Sequence, residues 1–137
     1  MSVPQPADAV RGLTILVVED QFLLADLATD FLIEAGAAEV LVGQDIASAC
    51  DVIAKSPVIG AAVIDINLGG QSGFQLADTL IARGIPFVFA TGYGRAAAVP
   101  DALRMVPLVA KPYTMEMLVD ALGGAVIRAR DGGNPQT

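Results

Sequence analysis

The 137-residue chain contains no histidine and no tryptophan, a single cysteine, and only eight lysines and arginines. Without histidine there is no imidazole acid or base, and most zinc and copper sites lose their usual ligand. Cys50 by itself cannot close an internal disulfide. Eight basic against fifteen acidic residues leave a formal charge of −7, which repels phosphate backbones and anionic lipid surfaces and speaks against nucleic acid and membranes as partners. Long apolar runs are also missing. The longest stretch free of Asp, Glu, Lys and Arg, Ile66 to Ala77, has 12 residues, where a bilayer span needs roughly 20. The opening MSVPQPADAVRG lacks the basic and then apolar signature of a secretory signal, so the expected location is the cytoplasm. Any chemistry is left to carboxylates, hydroxyls and lysine.

What is present is a strongly apolar composition, 54% hydrophobic with 17% charged, which supports a packed core and argues against disorder. The length suits one domain. We expect it over residues 11–130, with tails at 1–10 and 131–137 (DGGNPQT).

Short apolar runs alternate with helical patterns. Leu13–Val18, Glu39–Val42, Gly60–Asp65, Pro86–Ala90 and Leu108–Ala110 read as strands, the first, third and fourth continuously apolar as strands buried on both faces should be. Leu24, Leu27, Ala28, Phe31 and Ala35 form a helical stripe that Gly36 is placed to end. Further helices are expected at Asp45–Lys55, capped by Asp45, at about Gly73–Ala82, and at Thr114–Arg128, capped by Thr114 with Glu116 favoured by the helix dipole. Pro100 and Pro107 leave room only for a short or irregular helix before the last strand. Strict βα alternation implies a doubly wound α/β domain with a five-stranded parallel sheet, helices on both faces, and a site beyond the carboxyl ends of the strands.

The residues ending those strands are the informative ones. Strand one runs into Glu19 and Asp20, strand three ends in Asp65, strand four is followed by Thr91, and strand five by Lys111 and Pro112. Taken alone, Asp20 reads as a helix cap, and a lone Asp, Thr-Gly or Lys-Pro says even less. Together they place three carboxylates, a hydroxyl and an amine at one sheet edge. Two like charges 4 Å apart cost on the order of 4 kcal/mol at an effective dielectric of about 20, so the cluster requires protons or a cation. Oxygen-only ligands favour a hard cation such as Mg²⁺. A carboxylate there can also act as a nucleophile toward a phosphoryl group, with the cation, hydroxyl and ammonium neutralising the transferring oxygens. Asp65 is the central candidate.

Over about residues 11–129 this order of residues resembles the receiver domain of bacterial two-component response regulators. The resemblance implies strand order 2-1-3-4-5. It assigns Glu19, Asp20, Asp65 and the backbone carbonyl of Asn67 to Mg²⁺, Asp65 to phosphoacceptor, and Thr91 and Lys111 to the phosphoryl oxygens. It also implies a phosphohistidine donor on a sensor histidine kinase or histidine phosphotransfer protein, and an unidentified downstream protein partner. Two features depart from the common pattern. Leu108 occupies the position three before the lysine where most receivers carry a switch aromatic, and LGGQSG (68–73) replaces the usual Met-Pro. PFVFATGYG (86–94) instead resembles a receiver subgroup with a Phe-Ala-Thr-Gly-(aromatic/Gly)-Tyr motif, which typically lacks that aromatic and works with kinases carrying an atypical dimerisation domain.

Two other readings compete. A haloacid-dehalogenase-like hydrolase expects a second acid two residues after the nucleophile, where this chain has Asn67. A phosphorylation-independent pseudo-receiver commonly loses the acidic pair, the acceptor or the lysine, all of which are here. Phe22 and Leu23 lie off the helical stripe and, with Pro112 and Tyr113, are expected to meet the partner's helices; the competing expectation folds Phe22 back onto the domain. With Leu108 unable to act as a switch ring, rearrangement is expected to begin in the Thr91–Arg104 connection, with Tyr93 gating the acceptor.

Overall fold

A computed structural model describes residues 3–92 and 99–132. The apolar β1 (Thr14–Val18) lies inside the sheet, flanked by β2 (Glu39–Gly43) on one side and the central β3 (Ile59–Asp65) on the other. The sheet continues through β6 (Phe87–Thr91) to β7 (Leu108–Ala110), all neighbours parallel, in the order β2-β1-β3-β6-β7. This is the 2-1-3-4-5 order expected of the five principal strands. The numbering skips a two-stranded antiparallel hairpin, β4 (Asn67–Leu68) and β5 (Gln71–Ser72), inserted after β3.

Helices cover both faces. On one face α2 (Phe22–Glu34) and α5 (Met115–Arg130) pack on Ile15, Val17, Val63 and Val88; on the other, α3 (Ile46–Lys55) and α4 (Ala77–Ala82) cover Leu16, Ile64, Phe87 and Phe89. The side chains of Asp45 and Thr114 accept bonds from the Ser48 and Met117 amides, so both predicted caps are in place. Gly36 and Ala37 close the end of α2 by donating to Ile33 and Leu32 carbonyls. Gly73–Leu76 is a tight 3-10 turn leading into α4, and Asp101–Leu103 is a second such turn, the described part of the irregular connection before β7. Among the described residues no helix is long and apolar enough to cross a membrane.

Two expectations are corrected. The first ten residues are not simply a free tail: Pro6–Ala9 forms a helical turn, α1, and Ala9 and Val10 are buried in the core beneath it. Two early prolines and a short apolar pair carry too little periodicity to reveal this. The second correction concerns the inner face of α2. Ala25, Ala28 and Leu32 are fully buried, Leu24, Phe31 and Ala35 only partly, and Leu27 is exposed. With apolar residues nearly all round the helix, the spacing alone leaves its rotation open; the small Ala25 and Ala28 let the backbone sit close to the sheet.

α1 crosses α5 at Gly123, where an added Cβ would lie 2.1 Å from the Pro6 carbonyl oxygen. At the adjacent Gly124 it would meet nothing nearer than Arg128 Nη1 at 3.7 Å. Gly123→Ala is therefore expected to lower stability by about 1–3 kcal/mol, as overpacking does. Gly124→Ala should be neutral or stabilising by up to about 1 kcal/mol. Urea denaturation of the two variants checks this; equal midpoints would show that α1 is not seated on Gly123.

Candidate functional site

Each strand delivers its terminal residue to one edge because the parallel register holds the strand ends level. The Glu19 amide extends the ladder to the Gly43 carbonyl, Asp65 stands opposite Ala90, and the Lys111 amide bonds the Thr91 carbonyl at 2.7 Å. Asp20 is exposed, and it does not cap α2: the N-cap position is Gln21, with no side-chain capping bond. Its carboxylate is thus left to the edge of the sheet. Asp20, Asp65, Asn67, Thr91, Lys111 and Pro112 line one cleft of about 600 Å³.

At its floor the Lys111 ammonium donates to Glu19 Oε1 at 2.5 Å and to Asp65 Oδ2 at 2.8 Å. Both carboxylate side chains are nearly inaccessible. Asp65 Oδ1 accepts from the Asn67 amide at 3.0 Å, and the Thr91 hydroxyl donates to the Gly92 carbonyl at 3.3 Å. Burial and the neighbouring Asp65 carboxylate, toward which a Glu19 proton is held, push the Glu19 carboxyl up to about 8, against the opposing pull of Lys111. Burial alone would lower the Lys111 ammonium, but its bonds to Asp65 and Glu19 outweigh that and raise it.

One oxygen each from Glu19, Asp20 and Asp65 lies within 4.8 Å of the other two, and Glu19 Oε2 is buried with no hydrogen-bond partner. An all-oxygen set with an orphaned buried lone pair fits a hard divalent cation.

Of the other predicted site residues, Phe22 and Leu23 are exposed (69% and 78%), and Pro112, joined to Lys111 by a cis peptide bond, is exposed at the cleft. Tyr113 is half-buried with its ring 6.3 Å from that of Phe31, and burial raises its hydroxyl pKa. Leu108 is half-buried against the α3/α4 side of the core. Tyr93 lies outside the described residues.

Sequence reasoning missed the β4–β5 hairpin. Gly69 and Gly70 form its two-residue turn at φ +57° and +95°, the left-handed conformation such turns require. The signal in the sequence is Gly-Gly between residues able to pair. It also missed Gly73, whose amide bonds the Ile66 carbonyl at 2.7 Å and where a Cβ would lie 2.1 Å from the Asp65 carbonyl oxygen. The backbone behind Asp65 is thus clamped by a residue that must be glycine.

The profile of the response regulator receiver domain matches residues 15–123. Among solved structures, SdrG from Sphingomonas melonis Fr1 is 37% identical and superposes with a TM-score of 0.73, covering 85% of this chain and 97% of that one. A response regulator receiver protein from Sinorhizobium medicae WSM419 gives 0.74 at 23% identity, covering 86% and 97%. A CheY-like receiver domain protein from Methanospirillum hungatei JF-1 gives 0.72 at 20%, covering 89% and 99%. The last two speak to the fold alone. No curated protein matches the sequence.

Glu19 generates a pH dependence. Its folded-state pKa lies above its ordinary 4.5, so the protonated form favours the fold: its contribution is full below about pH 4.5 and is lost as pH rises through about 8. In metal-free protein, Glu19→Gln should flatten that decline and leave the variant more stable than the wild type at about pH 8.5, by on the order of a few kcal/mol. Urea midpoints at about pH 5 and 8.5 test this; a wild type-to-variant gap that does not change with pH contradicts it.

Proposed function

Since the chain belongs to the response regulator receiver family, we propose that it is a phosphoacceptor of a two-component pathway, receiving a phosphoryl group on Asp65 and signalling by protein contact. The observation that carries this reading is the Lys111 ammonium held 2.8 Å from Asp65 in the same cleft as Asp20 and Thr91. The donor is a phosphohistidine of a sensor histidine kinase or histidine phosphotransfer protein.

In the transfer, an Asp65 carboxylate oxygen forms the new O–P bond as the N–P bond of phosphohistidine breaks, the electron pair returning to the imidazole nitrogen. The Asn67 amide fixes the orientation of the Asp65 carboxylate through Oδ1. Lys111, already at Oδ2, reaches a phosphoryl oxygen with a short movement, and the Thr91 hydroxyl has only its weak 3.3 Å local bond to give up in order to reach another. Glu19, Asp20, Asp65 and the Asn67 carbonyl would hold Mg²⁺, which neutralises charge on the transferring group when bound. A receiver is a signalling domain rather than a classical enzyme, so turnover of small phosphomonoesters should be negligible. Phe22 and Leu23 on α2, with Pro112 and Tyr113 after β7, form the proposed docking rim for the donor.

With acetyl phosphate and Mg²⁺, one phosphoryl group is expected on the wild type and none on Asp65→Asn, and chelation should block the reaction. Lys111→Ala should slow labelling about a hundredfold, the usual effect of removing one charge-stabilising donor. Labelling of Asp65→Asn at the wild-type level, read by intact-mass spectrometry, would sink the assignment.

Phe22→Ala combined with Leu23→Ala should leave acetyl phosphate labelling unchanged while slowing transfer from a phosphorylated kinase. Unchanged kinase transfer in a folded variant would remove these two residues from the docking rim.

A further inference from the structure

The two edges of the sheet are finished in different ways. β7 has three residues, with Pro107 directly before it and Lys111 and Pro112 directly after. Short length, proline and lysine are the usual means by which an edge strand is kept from pairing with another chain. β2 has none of the three. Its five residues, Glu-Val-Leu-Val-Gly, run in unbroken register along β1 and carry their one charge, Glu39, at the end. Among the described residues no strand pairs with its outer side.

The hydrogen-bond register decides which groups are left over. The Glu39 amide donates to the Leu13 carbonyl and the Gly43 carbonyl accepts from the Glu19 amide, so Glu39, Leu41 and Gly43 turn their backbone groups toward β1. In a parallel ladder the alternate residues, Val40 and Val42, then direct their N–H and C=O groups outward. The outward row ends there, because the Gln44 amide donates to Ser48 Oγ and the Ala38 amide to the Leu13 carbonyl. The surroundings are apolar. Val42 is 40% exposed and lines one hollow with Phe22 and Ala25 of α2. About three turns beyond Phe22 on the same flank of that helix, Ile33 is 48% exposed.

We propose that β2 pairs antiparallel with β2 of a second copy of this chain, about a two-fold axis through Leu41 that joins two five-stranded sheets into one. Val40 then faces Val42 of the second copy and Val42 faces its Val40, so every outward N–H meets an outward C=O. Glu39 falls opposite Gly43 of the second copy, and no two carboxylates are brought face to face. Val40 packs on the α2 and α5 side of the sheet and Leu41 on the other, so by strand alternation Val42 joins Val40. The paired valines and the Ile33 of each copy therefore lie on one side of the joined sheet. A second copy is the occupant because the exposed row is its own complement in length, spacing and charge. Such a contact uses up both β2 edges and, with β7 guarded, stops at two. The pairing goes beyond the phosphoacceptor reading and does not depend on it.

Each copy carries a formal charge of −7, so mutual repulsion opposes the pairing and added salt should strengthen it. Sedimentation equilibrium of the full chain should show one copy at low micromolar concentration and an approach to two, and no more, toward about 1 mM. The Val40 and Val42 amides should exchange about tenfold more slowly in concentrated than in dilute protein. Val42→Lys sets a charge against a valine and should weaken the dimer by more than about tenfold, whereas Met105→Lys, the same charge change at an exposed residue before β7, should alter it less than about twofold. Leu41→Cys combined with Cys50→Ser brings two thiols together at the axis, where directly opposed antiparallel residues are spaced as a disulfide requires. Mild oxidation should link two copies. The same treatment of Val58→Cys with Cys50→Ser, an exposed position outside β2, should not. Should Val42→Lys fail to fold, the cross-link decides. A single copy at every concentration and salt, growth beyond two, amide exchange independent of concentration, equal weakening by the two lysine variants, or equal cross-linking at both positions would overturn the proposal.

Discussion

The Lys111 ammonium between Glu19 and Asp65 is the interaction on which the rest of the arrangement depends. Two nearly inaccessible carboxyl groups can share one edge of a sheet only if a positive charge lies between them or one of them keeps its proton, since the mutual repulsion of two carboxylates at an effective dielectric of about 20 is on the order of 4 kcal/mol. That charge is delivered from β7, at the outer end of the sheet, to partners that follow β1 and end β3. The bridge is short only if three strands are in parallel register and level at their carboxyl ends. Glu19 still holds its proton to about pH 8, because burial and Asp65 outweigh one lysine. The site is therefore short of positive charge, which is the electrostatic condition that a divalent cation relieves.

The central strands and the residues that end them were legible in the sequence for a simple reason. A strand buried on both faces reads as an unbroken apolar run, and the first polar residue after it is the one that emerges at the edge. Val18 to Glu19 and Ile64 to Asp65 are both transitions of this kind. Gly36, Asp45 and Thr114 were legible because their roles at helix ends depend on local backbone chemistry.

What was not legible depends on contacts distant in sequence. Gly123 is an unfavourable residue inside a helix until Pro6 is placed against it, and Gly73 gives no hint that the carbonyl of Asp65 lies where its side chain would be. The hairpin at Asn67–Ser72 was too short for periodicity to register. The rotation of α2 was undetermined because leucines lie on its inner and outer sides alike; tertiary packing chose the side with Ala25 and Ala28, where the helix could approach most closely.

That choice has a consequence for the chemistry. By turning its alanines inward, α2 presents Phe22 and Leu23 at the end of the helix nearest Asp20, and so beside the acceptor cleft. The inner face of α2 is constrained by the sheet and leaves little freedom in residue size, whereas its outer face is free of any demand from the fold. Residues on the outer face can therefore vary without disturbing the bridge between Lys111, Glu19 and Asp65, and this separation is what the parallel sheet with its level strand ends makes possible.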